Sequence, residues 1–334
     1  MSDPYPIEYS GFLQPFPYDI NGDGRIDLIN GRKFILNTGE DELENMWDRP
    51  VFWGIGLNSN SVVCDFDEDG VLDLLKGVDL SFINGGELLI EQYQLTEPGW
   101  RNSLFFGYEL GERTESEWPE YRALKVVEMF EEGNPCLVKV AYSPYHLPRH
   151  KLTLLYDGME GDRWHWRPLE HFFDDIIDTS LVYQTPSFGD LDSDVDQDIA
   201  VLEGLHSDSL RVVFYQLQLD DREPTWILQE EWGDGLENIA FTTINFADLD
   251  SDGDLDLVGS YLNEEQQILP ILFQNIGDRN NPEWQRVSEA FEVGGPQMGA
   301  ILITVDVNGD GLSDILTERV CYINATETSV HNDI

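Results

Sequence analysis

One acidic nine-residue pattern recurs along this 334-residue chain and constrains its fold more than any other feature. The pattern reads D-x-[DN]-x-D-G-x-x-D, and apolar residues follow it. The six copies, of which the third is degenerate, begin at Asp19, Asp65, Glu128, Asp190, Asp248 and Asp306. Successive copies start 46 to 63 residues apart, which is the length of one supersecondary unit. The sequence therefore predicts six repeated units.

The pattern places oxygen ligands at alternate positions of a tight loop. Side chains at positions 1, 3, 5 and 9 and the backbone carbonyl at position 7 converge on one point, and the glycine at position 6 permits the sharp turn. Calcium takes six to eight such oxygens, so the sequence predicts about five calcium ions. Aspartate and glycine also mark ordinary surface turns, but five copies with fixed internal spacing favour a metal site.

The predicted metal ligands include the position-7 residues, which offer only a carbonyl oxygen. They are Asp19, Asn21, Asp23, Arg25 and Asp27 in the first loop, Asp65, Asp67, Asp69, Val71 and Asp73 in the second, Asp190, Asp192, Asp194, Asp196 and Asp198 in the fourth, Asp248, Asp250, Asp252, Asp254 and Asp256 in the fifth, and Asp306, Asn308, Asp310, Leu312 and Asp314 in the sixth.

Two copies depart from the pattern. The fourth has Val195 at position 6, and because a β-branched residue resists a positive φ, we expect a distorted or weaker loop there. The third has Phe130 and Cys136 at positions 3 and 9, which removes two oxygen ligands. We expect that copy to be a turn without metal.

The segments around the loops are typical of β-strands. The loop at Asp248 lies between TTINFAD and DLDLVGSYL, and two further strand-like runs follow in each unit, while helical periodicity is nearly absent. Four antiparallel strands repeated six times indicate a β-propeller, in which radial repetition leaves few exposed edges. We therefore predict an all-β protein: a single β-propeller domain over residues 1–334 with six four-stranded blades.

The two ends of the chain are predicted to share one blade. The last unit offers only three strand-like runs, ILITVDV, SDILTE and VCYINAT. The run PYPIEYS precedes the first loop much as RPVFWGI precedes the second. We expect residues 3–10 to pair with the C-terminal strands, complete the last blade and close the ring.

The loops and their flanking strands resemble the FG-GAP and VCBS repeat families. These families form calcium-loop propellers in integrin α-subunit heads, a fungal lectin and several bacterial polysaccharide lyases. The resemblance extends from Asp19 to about Leu316. It implies a propeller with calcium loops, and it leaves the activity open because the same fold carries many functions.

The net charge of the chain limits the classes of partner that it can bind. Lys and Arg number 19 against 65 Asp and Glu, which gives a formal net charge of −46. Binding to nucleic acid or to an anionic membrane needs a basic face, so we expect no nucleic-acid partner. No run approaches the roughly 20 apolar residues of a membrane helix, so we expect no membrane insertion.

A basic segment in the third unit is the candidate site for chemistry. It contains Tyr145, His146, Arg149 and His150, and His206 occupies the corresponding loop of the next unit. One interpretation is a site for an acidic sugar, with Arg149 neutralising a uronate carboxylate and His146, His150 or Tyr145 transferring protons in a β-elimination. In a binding site without catalysis, His146, Arg149 and His206 would contact the ligand. The other interpretation is a basic loop that pairs with nearby acids.

Three functions follow from these patterns, in order of preference. The first is a calcium-stabilised module that binds a glycan or a protein. The second is a polysaccharide lyase that cleaves a uronate-containing polymer, and the third is a structural ring in a larger assembly. Met1 to Ser10 lacks the pattern of a secretion signal, yet the demand for calcium favours an extracellular or cell-surface location.

Overall fold

The computed structural model describes most of the chain, with gaps. The described residues are 5–6, 16–21, 23–30, 33–39, 51–52, 61–64, 73–79, 88–96, 99–106, 120–127, 129, 136–142, 150–160, 163–169, 172–173, 176, 182–183, 186–204, 210–220, 223–278, 281–287, 302–317, 320–322 and 324. They form 25 strands and one short 3₁₀ helix, Glu231–Gly233. The predicted all-β class is confirmed.

The strands form six antiparallel sheets, one for each predicted unit, and we number the sheets I to VI in chain order. Sheet I contains β2 (Phe16–Tyr18), β3 (Asp27–Asn30), β4 (Lys33–Ile35) and β5 (Val51–Phe52). Sheet II contains β6 (Ser61–Cys64), β7 (Asp73–Asp79), β8 (Leu88–Thr96) and β9 (Gly99–Phe106). Sheet III contains β10 (Glu120–Val127), β11 (Cys136–Tyr142), β12 (His150–Glu160) and β13 (Arg163–Leu169).

The later sheets follow the same order. Sheet IV contains β14 (Val182–Tyr183), β15 (Ser187–Gly189), β16 (Asp198–Gly204), β17 (Arg211–Asp220) and β18 (Glu223–Leu228). Sheet V contains β19 (Phe241–Ala247), β20 (Asp256–Leu262), β21 (Ile268–Asn275) and β22 (Trp284–Arg286). Sheet VI contains β23 (Leu302–Val305), β24 (Asp314–Thr317) and β25 (Val320–Tyr322), and β1 (Tyr5–Pro6) is its fourth strand.

Sheets IV and VI differ from the simple meander. In sheet IV the first strand is split, because β14 and β15 both pair with β16, so this sheet has five strands where the sequence predicts four. In sheet VI, Tyr5 pairs with Cys321 and Pro6 with Val320. The N-terminal strand therefore supplies the fourth strand that the C-terminal unit lacks.

The second strand of sheet IV is buried on both faces. Ile199 and Val201 pack into one apolar cluster with side chains of sheet III, whereas Ala200 and Leu202 pack into another with side chains of sheet V. Successive side chains of a strand point to opposite faces of the sheet, so an unbroken apolar run is what a strand between two neighbouring sheets requires. Sheet IV is thus covered on both faces.

Sheet V repeats this arrangement. Leu257 belongs to the cluster shared with sheet IV, and the adjacent Val258 packs with Ile315 and Tyr322 of sheet VI. The first strand of sheet V, β19, also contacts the first strands of both neighbours, β15 and β23. Sheets III, IV, V and VI therefore pack face to face in chain order.

Tryptophans of the fourth strands fasten the connections between sheets. The indole N–H of Trp226 donates to the Phe172 carbonyl, and that of Trp284 donates to the Trp232 carbonyl, each at 2.7 Å. The ring of Trp284 also stacks on Phe214 with centroids 5.9 Å apart. Burying an indole requires a partner for its N–H, and these backbone carbonyls provide one.

In the part of the chain that is described, no helix has the length and apolarity to cross a membrane.

Candidate metal-binding loops

Four of the nine-residue loops are described, and they occupy equivalent places. They join the first and second strands of sheets I, IV, V and VI, and they begin at Asp19, Asp190, Asp248 and Asp306. In each, position 1 directly follows the first strand and position 9 begins the second. In the second loop only Asp73 is described, and it likewise begins β7. The predicted ligands Asp65, Asp67, Asp69 and Val71 lie outside the described residues.

The aspartate at position 1 closes the loop through backbone amides. Asp190 accepts the N–H of Asp194 through Oδ1 and that of Val195 through Oδ2, both at 3.1 Å. Asp306 and Asp19 accept the corresponding pairs of amides, and Asp248 accepts the N–H of its position 6. A carboxylate is a strong acceptor for several backbone donors, so one side chain determines the path of the turn.

Position 6 takes a positive φ in all four loops. The angle is +84° at Gly24, +93° at Gly253, +86° at Gly311 and +82° at Val195. The expected distortion of the Asp190 loop is therefore not observed. Val195 keeps the left-handed backbone because its N–H is bonded to Asp190, and its side chain, 74% exposed, meets no packed neighbour that would oppose it.

The carboxylates at positions 1, 3 and 5 converge in two of the loops. In the Asp190 loop one oxygen from each of Asp190, Asp192 and Asp194 lies within 4.8 Å of the others. The Asp248 loop brings together Asp248, Asp250 and Asp252 in the same way. The structure thus assembles the predicted side-chain ligands of these positions, and three oxygens at this spacing suit a hard cation.

Each of the two clusters contains a buried oxygen without a hydrogen-bond partner. These atoms are Asp192 Oδ1 and Asp248 Oδ1. Asp192 is only 8% exposed, and burial followed by repulsion from Asp194 raises the pKa of its carboxyl. Buried polar atoms normally have a partner. An oxygen left bare in a cluster of like charges fits a site that a cation completes.

The aspartate at position 9 has a different environment. Asp27, Asp198, Asp256 and Asp314 are at most 2% exposed, and each accepts two backbone N–H groups. One amide comes from position 2 of the same loop, and the other comes from the third strand in sheets IV and V or from two residues beyond its end in sheets I and VI. In sheet V these donors are Leu249 at 3.1 Å and Asn275 at 2.8 Å. The position-9 carboxylate therefore ties three segments of the sheet together.

Burial dominates the electrostatics of position 9. It raises the pKa of Asp198 to about 8, that of Asp256 to about 7 and that of Asp314 to about 6, while the two amide donors oppose the shift. Neither Asp198 nor Asp256 belongs to the three-carboxylate cluster of its loop. Their role as metal ligands stays a prediction, and the structure adds a role in holding the fold.

Position 7 varies in chemistry. Arg25 pairs with Asp23 at 2.7 Å, whereas Leu312 is 6% exposed and apolar. The equivalent residues of the other described loops are acidic, Asp196 and Asp254. Only the backbone carbonyl is common to these side chains, which is compatible with its predicted use. The carbonyl assignments themselves stay predictions.

The degenerate third copy is built around an apolar position 9. Cys136 begins β11, is 4% exposed and lies in the cluster shared by sheets III and IV. Met129 at position 2 is completely buried in the same cluster. A buried aspartate with two amide partners is thus replaced by a small apolar residue of the core. The other ligand positions of this copy, Glu128, Phe130 and Glu132, lie outside the described residues.

Sequence reasoning missed two glutamines that contact the loops. Gln216 Nε2 donates to Asp192 Oδ2, and Gln274 Nε2 donates to Asp250 Oδ2. Both glutamines lie in the third strand of their sheet, 24 residues beyond their partners. An alignment of the repeated units would have shown this glutamine recurring at one position of the third strand.

Sequence reasoning also missed two asparagines whose side chains donate hydrogen bonds to neighbouring sheets. Asn324 Nδ2 donates to the Leu249 carbonyl at 2.5 Å, and Asn37 Nδ2 donates to the Val307 carbonyl at 2.7 Å. Each acceptor is position 2 of the loop of another sheet. The first bond connects sheet VI to sheet V, and the second connects sheet I to sheet VI.

The predicted site in the third unit cannot be placed. Tyr145, His146 and Arg149 lie outside the described residues, and so does His206 of the next unit. His150 begins β12 and pairs with Tyr142 in the ladder. The catalytic and ligand-binding roles of these residues stay predictions.

Comparison with known proteins adds no identification. No model of a known protein family matches the sequence, and a search of curated proteins finds no significant match. The resemblance to FG-GAP and VCBS repeats therefore rests on the nine-residue loops themselves.

Proposed function

We propose that the protein is a calcium-stabilised β-propeller of the FG-GAP/VCBS type that binds a glycan or a protein outside the cell. The observation that carries the metal proposal is the pair of converging carboxylate clusters, each with a bare buried oxygen at Asp192 or Asp248. Calcium prefers carboxylate and carbonyl oxygens and is abundant outside cells. The ligand class follows from the resemblance.

Three contacts support the ring. Sheets III to VI pack face to face in chain order. The bond from Asn37 to Val307 joins the first sheet to the last across 270 residues. Pairing of β1 with β25 places both ends of the chain in one sheet. An open row of sheets would not bring sheets I and VI into contact, so these bonds favour closure into a single domain over residues 1–334.

The described residues identify the side chains that would hold a cation in two of the loops. In the Asp190 loop the side chains of Asp190, Asp192 and Asp194 would hold the cation, and those of Asp248, Asp250 and Asp252 would do so in the next unit. A bound divalent cation supplies positive charge that offsets the repulsion among these carboxylates. The loops would then stabilise the ends of the strands that they join.

Counting the bound ions tests the metal proposal. Equilibrium dialysis against calcium, followed by elemental analysis, should find about five ions per chain. Two or fewer would overturn the proposal of one ion per complete loop. Magnesium dialysed in parallel is the control, since its strict octahedral geometry suits a loop of this kind less well.

A glycan and polysaccharide screen tests the ligand class. Binding without any chemical change would support the binding module. New ultraviolet absorbance from unsaturated uronate products would instead establish the lyase, and its loss in His146→Ala or His150→Ala would assign the third-unit segment as the site.

A further inference from the structure

The third residue of each loop varies together with one residue that lies in the third strand of the sheet or, in sequence, directly after it. In sheets I, IV, V and VI this residue immediately precedes the residue whose backbone N–H donates to the position-9 aspartate. In sheet II it is the residue that pairs with Asp73 in the ladder. Where position 3 is aspartate this residue is glutamine, and where position 3 is asparagine it is aliphatic. The pairs are Asp67 with Gln94, Asp192 with Gln216, Asp250 with Gln274, Asn21 with Leu36, and Asn308 with Ile323.

Hydrogen bonding explains this pairing. A carboxylate at position 3 has two acceptor oxygens and no donor, and the glutamine amide donates to one of these oxygens in sheets IV and V. An asparagine at position 3 carries a donor of its own. In the last loop Asn308 Nδ2 donates to Asp310 Oδ2 at 2.9 Å. An aliphatic residue in place of the glutamine then leaves no acceptor bare.

The glutamine of sheet IV is itself held in one orientation. Gln216 Oε1 accepts a hydrogen bond of 2.6 Å from Gln229 Nε2, so the Gln216 amide turns its Nε2 toward Asp192. This leaves Asp192 Oδ1 as the oxygen without a partner, in a carboxylate that converges with Asp190 and Asp194. The glutamine thus fixes which oxygen of Asp192 is offered to a cation.

We propose that Gln216 and Gln274 are positioning residues for the cation, and that the three loops with the Asp–Gln pair bind calcium more tightly than the two with the Asn–aliphatic pair. The tight sites are those at Asp65, Asp190 and Asp248, and the weak sites are those at Asp19 and Asp306. The inference rests on the proposed calcium binding. Groups that orient metal ligands typically change metal affinity 10- to 100-fold when they are removed.

The experiment is a calcium titration of the full chain by competition with a chromophoric chelator. The wild type should show three tight and two weak sites. Gln274→Leu introduces the kind of side chain that the Asn loops carry, and it should weaken one tight site about 10- to 100-fold and leave two. Gln216→Leu should do the same. Gln218→Leu, at an exposed position of the same strand, is the matched control and should leave all sites unchanged.

A double variant separates positioning from a general loss of structure. If Gln274 acts through Asp250, Gln274→Leu should have no further effect on calcium affinity in an Asp250→Asn background. Equal losses in both backgrounds would overturn the inference. Should Gln274→Leu fail to fold, Gln274→Met keeps the length of the side chain without the donor and carries the same expectation.

The outcomes for the two proposals differ. A wild type that binds no calcium would overturn the proposed function. Five sites of a single affinity, or unchanged affinity in both glutamine variants, would overturn only the positioning role and leave calcium binding intact.

Discussion

The loops that begin at Asp190 and Asp248 share the same turn at position 6 although they differ in the residue at that position, Val195 and Gly253. Val195 and Gly253 have φ values of +82° and +93°, and each donates its N–H to position 1 at 3.1 Å. The bonds from position 7 to position 5 are also equal, at 2.9 Å. The hydrogen bonds from backbone amides to the carboxylates therefore set the backbone path. A glycine at position 6 only lowers the free-energy cost of the positive φ.

Removing calcium should lower the stability of the folded protein more than any other change to these two loops. A ligand that binds only the folded state stabilises it by about 2.7 kcal/mol per site at a concentration a hundredfold above its dissociation constant. Several such sites together should exceed the effect of any single substitution. Thermal melts in calcium and in chelator measure this effect, and identical melting temperatures would contradict the proposed function.

Replacing the buried aspartate at position 9 should cause the second largest loss of stability, and the loss should be equal for the two loops. Asp198→Ala and Asp256→Ala each leave two buried backbone N–H groups without an acceptor, so each should lower the free energy of unfolding by about 3 kcal/mol. Chemical denaturation in chelator removes the contribution of the metal. The exposed Glu264→Ala, outside the loop, is the control, with an expected loss below about 0.5 kcal/mol. A similar loss in all three would show that position 9 has no special role.

The pH dependence should distinguish the two loops in the absence of calcium. Burial raises the pKa of Asp198 to about 8 and that of Asp256 to about 7, from an ordinary value of 3.8. Between the ordinary and the raised values the folded protein binds more protons than the unfolded chain. Its stability therefore falls as pH rises, up to about pH 7 for Asp256 and about pH 8 for Asp198.

Asp198→Asn sharpens this test. Between pH 7 and 8 the wild type should lose up to about 1.4 kcal/mol more than this variant, because one pKa unit corresponds to about 1.4 kcal/mol. Denaturation curves in chelator from pH 4 to 9 measure the difference. Stability that rises over this range would contradict the burial argument.

Exchanging the position-6 residues should have the smallest effect. Gly253→Val should lower the free energy of unfolding by about 1 kcal/mol, because a left-handed backbone strains a β-branched residue. Val195→Gly should raise it by somewhat less, since glycine makes the unfolded chain more flexible. Denaturation in chelator compares the two, and a stabilising Gly253→Val would show that the left-handed backbone carries no penalty here.

The sequence predicts those features that local chemistry determines. The motif correctly places each described loop between the first and second strands, because position 9 begins the second strand in all six units, including the degenerate third copy. Apolar runs such as Ile199 to Leu202 correctly predict strands. The all-β class follows from these local patterns.

The features that sequence reasoning missed depend on register between distant strands. Leu217 and Asn275 donate to carboxylates 19 residues earlier, and Gln216 and Gln274 lie beside them. These contacts exist only once the third strand has paired with the second. The positive φ of Val195 was not predicted either, since local propensity opposes it and the bond to Asp190 overrides that propensity.

The pairing of β1 with β25 has a consequence for the order in which the protein is made. The partners of Tyr5 and Pro6, Cys321 and Val320, follow them more than 300 residues later in the chain. At about 5 to 20 residues per second, this strand waits tens of seconds for its neighbour. Sheet VI is therefore completed only after the strands of sheets I to V have been synthesised.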